Sequence, residues 1–263
     1  MPDFDSDGVR LHYALAGPDD GQPIVLVHGF ASDYELNWVG SRWEEALTRS
    51  GRLVIGLDCR GHGHSEKPHT PEAYAREVMA ADVIRLLDHL GVGRAEYLGY
   101  SMGSRIGLEI VTRHGTRCRR AVLGGLGRWG RRRDQAEGEA SSGPTSAELI
   151  ARRLRGDPSV RDPVAEMFYR FATSRPINDM EALACCMLGP QPPIDERLLA
   201  GVSVPVAIMT GDQDLVARDA DQVARQIPGA RYVPIEGRDH MNAVPARQFK
   251  DAALEFLGPA DGA

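Results

Sequence analysis

The side chains of this 263-residue chain best suited to covalent chemistry are one serine set between glycines, a pair of aspartates and a late histidine. The serine lies in Gly99-Tyr100-Ser101-Met102-Gly103, after an apolar run at 95–98 and before a helical pattern at 104–114. That strand–turn–helix context reads as a nucleophile elbow. The turn is tight enough to strain the backbone at Ser101, and side chains at Gly99 and Gly103 would meet the neighbouring strand and helix. Such a turn lifts the Ser101 hydroxyl above a sheet. It also sets a helix N-terminus beneath the hydroxyl, where the Met102 N–H can stabilise an oxyanion.

A nucleophilic serine needs a base, and the base needs a carboxylate to orient it. In open α/β sheets, ligands bind beyond the carboxyl ends of the strands, so polar residues directly after strands carry the weight. A strand-like run at 204–209 ends in Thr210-Gly211-Asp212-Gln213-Asp214, and another at 232–235 ends in Glu236-Gly237-Arg238-Asp239-His240. In elbow-bearing sheets the order is serine, acid, histidine. Of eight histidines, only His114 and His240 follow Ser101, and His114 closes the serine's own helix, which selects His240. Asp212 and Asp214 stand as alternatives for the acid, the other bracing its loop through backbone N–H groups. Asp239, beside the base, reads as a loop-bracing residue.

The elements that would carry these groups alternate. Residues 9–16 alternate apolar and polar, as a half-buried antiparallel edge strand does. The run at 24–27 is apolar throughout, the mark of a parallel strand covered on both faces; 53–57 reads as the next buried strand, and 95–98 and 121–123 as further strands. Helical patterns fall at 38–47, 73–90, 104–114, 219–226 and 246–257. Between 125 and 197 no strand-like run occurs: a basic cluster at 128–133 and a Ser/Gly/Pro stretch at 141–145 precede short helical patterns at 149–154, 164–172 and 180–187. The expected architecture is an α/β core formed by 1–124 and 198–263, with a mostly parallel sheet and helices on both faces. A helical cap is inserted at 125–197.

Composition bounds the function. With 42% hydrophobic and 26% charged residues the chain suits one globular domain with a large core. A net charge of −6 argues against non-specific binding to nucleic acid or to an anionic membrane. No apolar run reaches the roughly 18 residues of a membrane span. The acidic opening Met1-Pro-Asp-Phe-Asp-Ser-Asp lacks a signal peptide's basic and apolar regions. Cys59, Cys118, Cys185 and Cys186 show no metal-ligand spacing, and the last two are adjacent, a poor disulfide geometry. These features point to a reducing cytoplasm and to neither metal nor organic cofactor.

Five motifs in order resemble the serine-type α/β-hydrolase-fold family over essentially the whole chain: His28-Gly29-Phe30, Asp58-Cys-Arg-Gly-His-Gly-His-Ser65, the elbow, Gly211-x-x-Asp214 and Gly237-x-x-His240. The resemblance places the acid on Asp214 and a second oxyanion donor on the Phe30 N–H. It gives His28 and Gly29 the task of shaping that turn. It implies an acyl hydrolase acting on small carboxylic esters, lactones or thioesters without a cofactor. Enol-lactone hydrolases, haloperoxidase-like perhydrolases and carbon–carbon bond hydrolases share the Ser-Met-Gly elbow. Epoxide hydrolases and haloalkane dehalogenases carry aspartate at the position of Ser101, and proline iminopeptidases carry Trp at that of Met102, which sets these activities aside. A ligand-binding sensor on the same fold, with the cap as a lid, is the reading from a different class.

The remaining polar residues have simpler readings. Asp58, Arg60, His62 and His64 brace a tight loop in preference to holding a metal. Arg105 forms a salt bridge, and the cluster at 128–133 is a solvated cap edge. Trp129, Met167, Phe168, Phe171 and Met187 fit an acyl pocket or the packing of the cap equally well, and Cys59 is a small buried residue.

Overall fold

The computed structural model describes residues 2–127 and 144–260. The basic cluster at 128–133, Trp129 and most of the stretch at 141–145 lie outside the described residues. Eight strands form one sheet: β1 (Asp3–Ser6), β2 (Val9–Ala16), β3 (Gln22–Val27), β4 (Arg52–Leu57), β5 (Ala95–Tyr100), β6 (Cys118–Gly124), β7 (Val206–Gly211) and β8 (Arg231–Ile235), in the order β1-β2-β4-β3-β5-β6-β7-β8. The first two pair antiparallel, β2 also runs antiparallel to β4, and every pair from β4 to β8 is parallel. Parallel strands need both faces covered. All six residues of β5 and of β7 are accordingly buried.

The helices supply that cover. On one face α1 (Trp43–Arg49) and α9 (Arg247–Leu257) bury Trp43, Leu47, Phe249 and Ala253 together with Trp38. On the other, α2 (Arg76–His89), α3 (Met102–Arg113) and α8 (Ala220–Arg225) bury Val83, Leu86, Ile106, Ile110 and Val223. Between β6 and β7 the described residues form helices only: α4 (Ser146–Leu154), α5 (Pro163–Thr173), α6 (Met180–Leu188) and α7 (Glu196–Ala200). Each starts at a capping side chain, namely Thr145, Asp162, Asp179 and Asp195. Caps of this kind are worth about 1 kcal/mol each.

Local structure departs from the expected elements in four places. Residues 9–16 do form an antiparallel strand, but β1 covers its outer side, so β2 is not the edge. The strand β1 reads Asp-Phe-Asp-Ser and shows too little apolar alternation to be recognised. The pattern at 38–47 is two pieces, a π-helical turn at Glu35–Val39 and α1, broken where Arg42 takes φ +64°. The start of the 73–90 pattern is a 3-10 turn (Pro71–Tyr74). The five-residue α7 is too short to show a period.

The 58–65 segment braces the sheet top through buried polar contacts. Asp58 accepts the backbone N–H groups of Tyr34 (2.8 Å) and His64 (2.9 Å). Arg60 makes two bonds to Asp82, at 2.7 and 2.6 Å. His62 donates from Nδ1 to the Arg60 carbonyl at 2.9 Å. Burial first, and then the neighbouring His28, push the His62 pKa down to about 3. No helix among the described residues is long and apolar enough to cross a membrane, and Cys59, Cys118, Cys185 and Cys186 are free and buried.

The depressed His62 pKa has a signed consequence. Unfolded, this histidine takes up a proton near pH 6.5, whereas folded it stays neutral down to about pH 3. Stability is therefore lost as pH falls through that window, by up to about 1.4 kcal/mol per pH unit. Thermal melts between pH 7 and 4 should show a shallower decline for His62→Gln than for the wild type; equal slopes would refute this.

Candidate active site

Four loops at the carboxyl ends of β3, β5, β7 and β8 meet above the sheet. The elbow after β5 puts Ser101 at φ +52° and ψ −107°, a left-handed conformation that a side chain adopts at a cost of about 1–3 kcal/mol. Its surroundings hold it there. The Ser101 N–H donates to the Gly124 carbonyl at 2.8 Å, and the single Ser104 O–H proton is shared between the carbonyls of Gly124 (2.6 Å) and Gly99 (2.8 Å). A Cβ on Gly103 would overlap the Val27 carbonyl, and one on Gly99 would meet the backbone of Gly103. Strand β3 and α3 therefore approach as closely as glycine permits.

His240 arrives on the β8 loop and is buried. Its Nε2 lies 2.8 Å from Ser101 Oγ, and its Nδ1 lies 2.7 Å from Asp214 Oδ2. A carboxylate only accepts, so Nδ1 carries the proton and Nε2 is free to receive one from the serine. Asp214 is buried, and its other oxygen accepts the N–H groups of Val216 and Ala217, both at 2.8 Å. The structure thus joins Ser101, His240 and Asp214 in one hydrogen-bonded chain. It places Asp212 elsewhere, accepting the Gly237 N–H at 2.8 Å and so tying the acid loop to the base loop. Asp239 accepts the N–H groups of Met241 and Asn242.

The turn after β3 faces the serine from the other side. His28 is buried, with Nδ1 at 2.8 Å from the Gly29 carbonyl and Nε2 at 3.0 Å from the Cys59 N–H. These two partners fix one neutral tautomer, and burial holds the His28 pKa below its usual value. The Gly29 N–H donates to Asn37 Oδ1 at 3.0 Å, and Gly103 N–H donates to the His28 carbonyl at 3.1 Å. The amides of Gly29, Ser101 and Gly103 are thus engaged in fastening the two turns. Met102 opens α3, so its N–H has no intrahelical acceptor.

A cavity of about 330 Å³ opens above Ser101 and His240. Its walls are mainly apolar: Phe30, Leu36, Phe168, Phe171, Met241 and Val244, with Asn37, Ser32 and Ser41 as polar interruptions. Among the described lining residues the titratable side chains are His240 and the Tyr100 phenol, which burial pushes well above its usual value, and no lysine, arginine or carboxylate is among them. Phe168 and Phe171 reach it from α5, whereas Met167 and Met187 pack against the core. Arg105 lies off the cavity, with its guanidinium 3.4 Å from Gln191; burial, then the charge of Arg76, lowers its pKa to about 9. Two residues here escaped sequence reasoning. Tyr100 donates to the His240 carbonyl at 2.7 Å and lays its ring against the imidazole, and Asn37 anchors Gly29. Neither has a signal in spacing or periodicity.

Comparison with known proteins identifies the fold. The sequence profile of the alpha/beta hydrolase fold matches residues 22–244. A Bacillus subtilis (strain 168) protein provisionally named 2-succinyl-6-hydroxy-2,4-cyclohexadiene-1-carboxylate synthase is 26% identical over 96% of each chain. Epoxide hydrolase A of Mycobacterium tuberculosis (strain ATCC 25618 / H37Rv) is 36% identical, but over 38% of this chain and 30% of its own length. The crystal structure of the enol-lactonase from Burkholderia xenovorans LB400 superposes with a TM-score of 0.78 at 26% identity, covering 97% of this chain and 99% of that one. With the family's profile matched over residues 22–244, the chain belongs to the alpha/beta hydrolase fold family of enzymes.

Proposed function

We propose that the protein is a serine hydrolase that cleaves a small, neutral carboxylic ester or lactone through an acyl-enzyme. The observation that carries this reading is the unbroken chain from Ser101 Oγ through His240 to Asp214 at the floor of an apolar cavity. His240 Nε2 takes the serine proton as Oγ attacks the acyl carbon. The oxyanion that forms is met by the Phe30 and Met102 N–H groups, each such donor being worth about 3 kcal/mol in the barrier. His240 then returns the proton to the leaving alkoxide, and Asp214 holds the imidazole in the required tautomer and stabilises its charge. A water deprotonated by the same nitrogen releases the acid. No step calls for a metal or an organic cofactor. A serine alkoxide forms an ester with an acyl carbon, which separates this site from epoxide opening on a carboxylate.

In the same reading residues 125–197 act as a cap, with α5 roofing the cavity through Phe168 and Phe171. Reduced thiols at all four cysteines suit a cytoplasmic setting.

Two experiments test the assignment. Turnover of p-nitrophenyl butyrate should fall by more than about a thousandfold in Ser101→Ala and in Asp214→Asn, yet by less than about tenfold in Asp212→Asn. Full loss in Asp212→Asn with activity retained in Asp214→Asn would reverse the acid assignment. Absence of turnover of any ester, lactone, thioester or carbon–carbon substrate by the wild type, beside ligand-dependent thermal stabilisation, would instead favour a sensor. The second experiment concerns charge. A carboxylate buried among these walls meets no described cation, and an unpaired charge is expensive to desolvate. The kcat/KM for butyrate esters should therefore exceed that for the matching succinate half-esters by about a hundredfold. Parity between the two would overturn the neutral-substrate reading.

A further inference from the structure

The turn that bears Phe30 is not held by the core alone. Ala31, directly after Phe30, takes φ +58°, a left-handed conformation unusual for a residue with a side chain. Its carbonyl accepts Asn178 Nδ2 at 3.1 Å, and the same nitrogen lies 3.1 Å from the carbonyl of Ala172 at the end of α5. Two residues further along the turn, buried Asp33 forms an ion pair with Arg175. The other Asp33 oxygen accepts the Leu36 N–H at 2.8 Å. Asn178 and Arg175 both belong to the short connection between α5 and α6, which is tightened by bonds from the Arg175 N–H to the Ala172 carbonyl and from the Asn178 N–H to the Arg175 carbonyl. One turn earlier in α5, Phe168 meets the Phe30 ring edge-on, with centroids 5.6 Å apart. The connection thus grips the turn at Ala31 and Asp33 and presses on it at Phe30.

A strained residue persists where its neighbours over-determine it. We propose that Asn178, supported by Arg175, is a positioning residue: it holds Ala31 in its left-handed bend and so keeps the Phe30 N–H aimed at the oxyanion. The inference rests on the serine-hydrolase reading above, because it presumes that this N–H works in the reaction. Asn178 touches no reacting atom. Its effect passes through the backbone, so it belongs to kcat. The helical insert then does more than roof the cavity, since lifting the α5–α6 connection would release the donor, and the site would be competent only with the insert seated.

Steady-state turnover of p-nitrophenyl butyrate tests this in Asn178→Ala and in the isosteric Asn178→Asp, each assayed well below its own melting temperature. Both variants remove the donor to Ala31. Each should lower kcat by about tenfold or more with KM within about twofold, since small misplacements of a donor act on the transition state. Repeating Asn178→Ala in an Ala31→Gly background gives a second readout. Glycine adopts the left-handed bend without strain, so the loss should shrink to threefold or less. An unchanged kcat in both single variants, a loss confined to KM, or the same tenfold loss in both backgrounds would overturn the proposal. If Ser101→Ala retains turnover, the underlying reading fails and the positioning proposal with it; if Ser101→Ala is dead while the Asn178 variants match wild type, only the positioning proposal fails.

Discussion

A serine backbone at φ +52° and ψ −107° does not stay there unaided, and the architecture around β5 and α3 can be understood as what keeps it there. The strain has to be offset by contacts formed only when the strand and helix are close. Gly99 and Gly103 allow that approach, Ser104 ties both flanking carbonyls, and Tyr97 donates to the Gly103 carbonyl at 2.6 Å. The result is a hydroxyl raised at the head of a helix, where the N-terminal amides and the helix dipole favour negative charge. Loss of any of these contacts would let the turn relax and the hydroxyl sink.

The other groups depend on that placement. His240 and Asp214 come from loops after neighbouring strands, and their position relative to Ser101 is set by the parallel register of β5, β6, β7 and β8. Register is firm because β5 and β7 are buried along their whole length, while the largely exposed edge strand β8 takes its register from its pairing with β7. The loops then need only local fastening. Asp212 bonds Gly237, Tyr100 bonds the His240 carbonyl, and two backbone N–H groups fix Asp214. His28 does the same for the opposite turn, and its neutrality follows from having a carbonyl on one nitrogen and an N–H on the other. Polar groups that look reactive in the sequence, Asp58, Arg60 and His62 among them, are spent on this fastening.

How much was legible in the sequence follows from the physical signals. The elbow declares itself because strain demands glycine at fixed offsets, and the apolar stretches of β3 and β4 because double burial demands them, whereas β5 also buries Glu96 in an ion pair with Arg52. His240 could be found by chain order. Asp212 and Asp214 could not be separated on that ground, since both follow the same strand; only the resemblance to a family, and then the direction each side chain takes, distinguishes them. Tyr100 and Asn37 each act through a single hydrogen bond to a backbone atom, 140 and 8 residues away, and such contacts leave no periodic trace. The same holds for Asp33 and Arg175, which are 142 positions apart. Strand β1 was invisible because four residues with one apolar side chain carry too little pattern.

The separation of the serine from its base also has a temporal meaning. Ser101 and His240 are 139 residues apart, with the histidine in the loop that follows β8. At ordinary rates of protein synthesis that interval is about 7 to 28 seconds. Throughout it the ribosome carries a chain whose serine has been made but whose imidazole has not. On the serine-hydrolase reading, a nascent polypeptide at this stage holds a nucleophile without its base, and reactivity waits until His240 has been made and its loop has reached the serine.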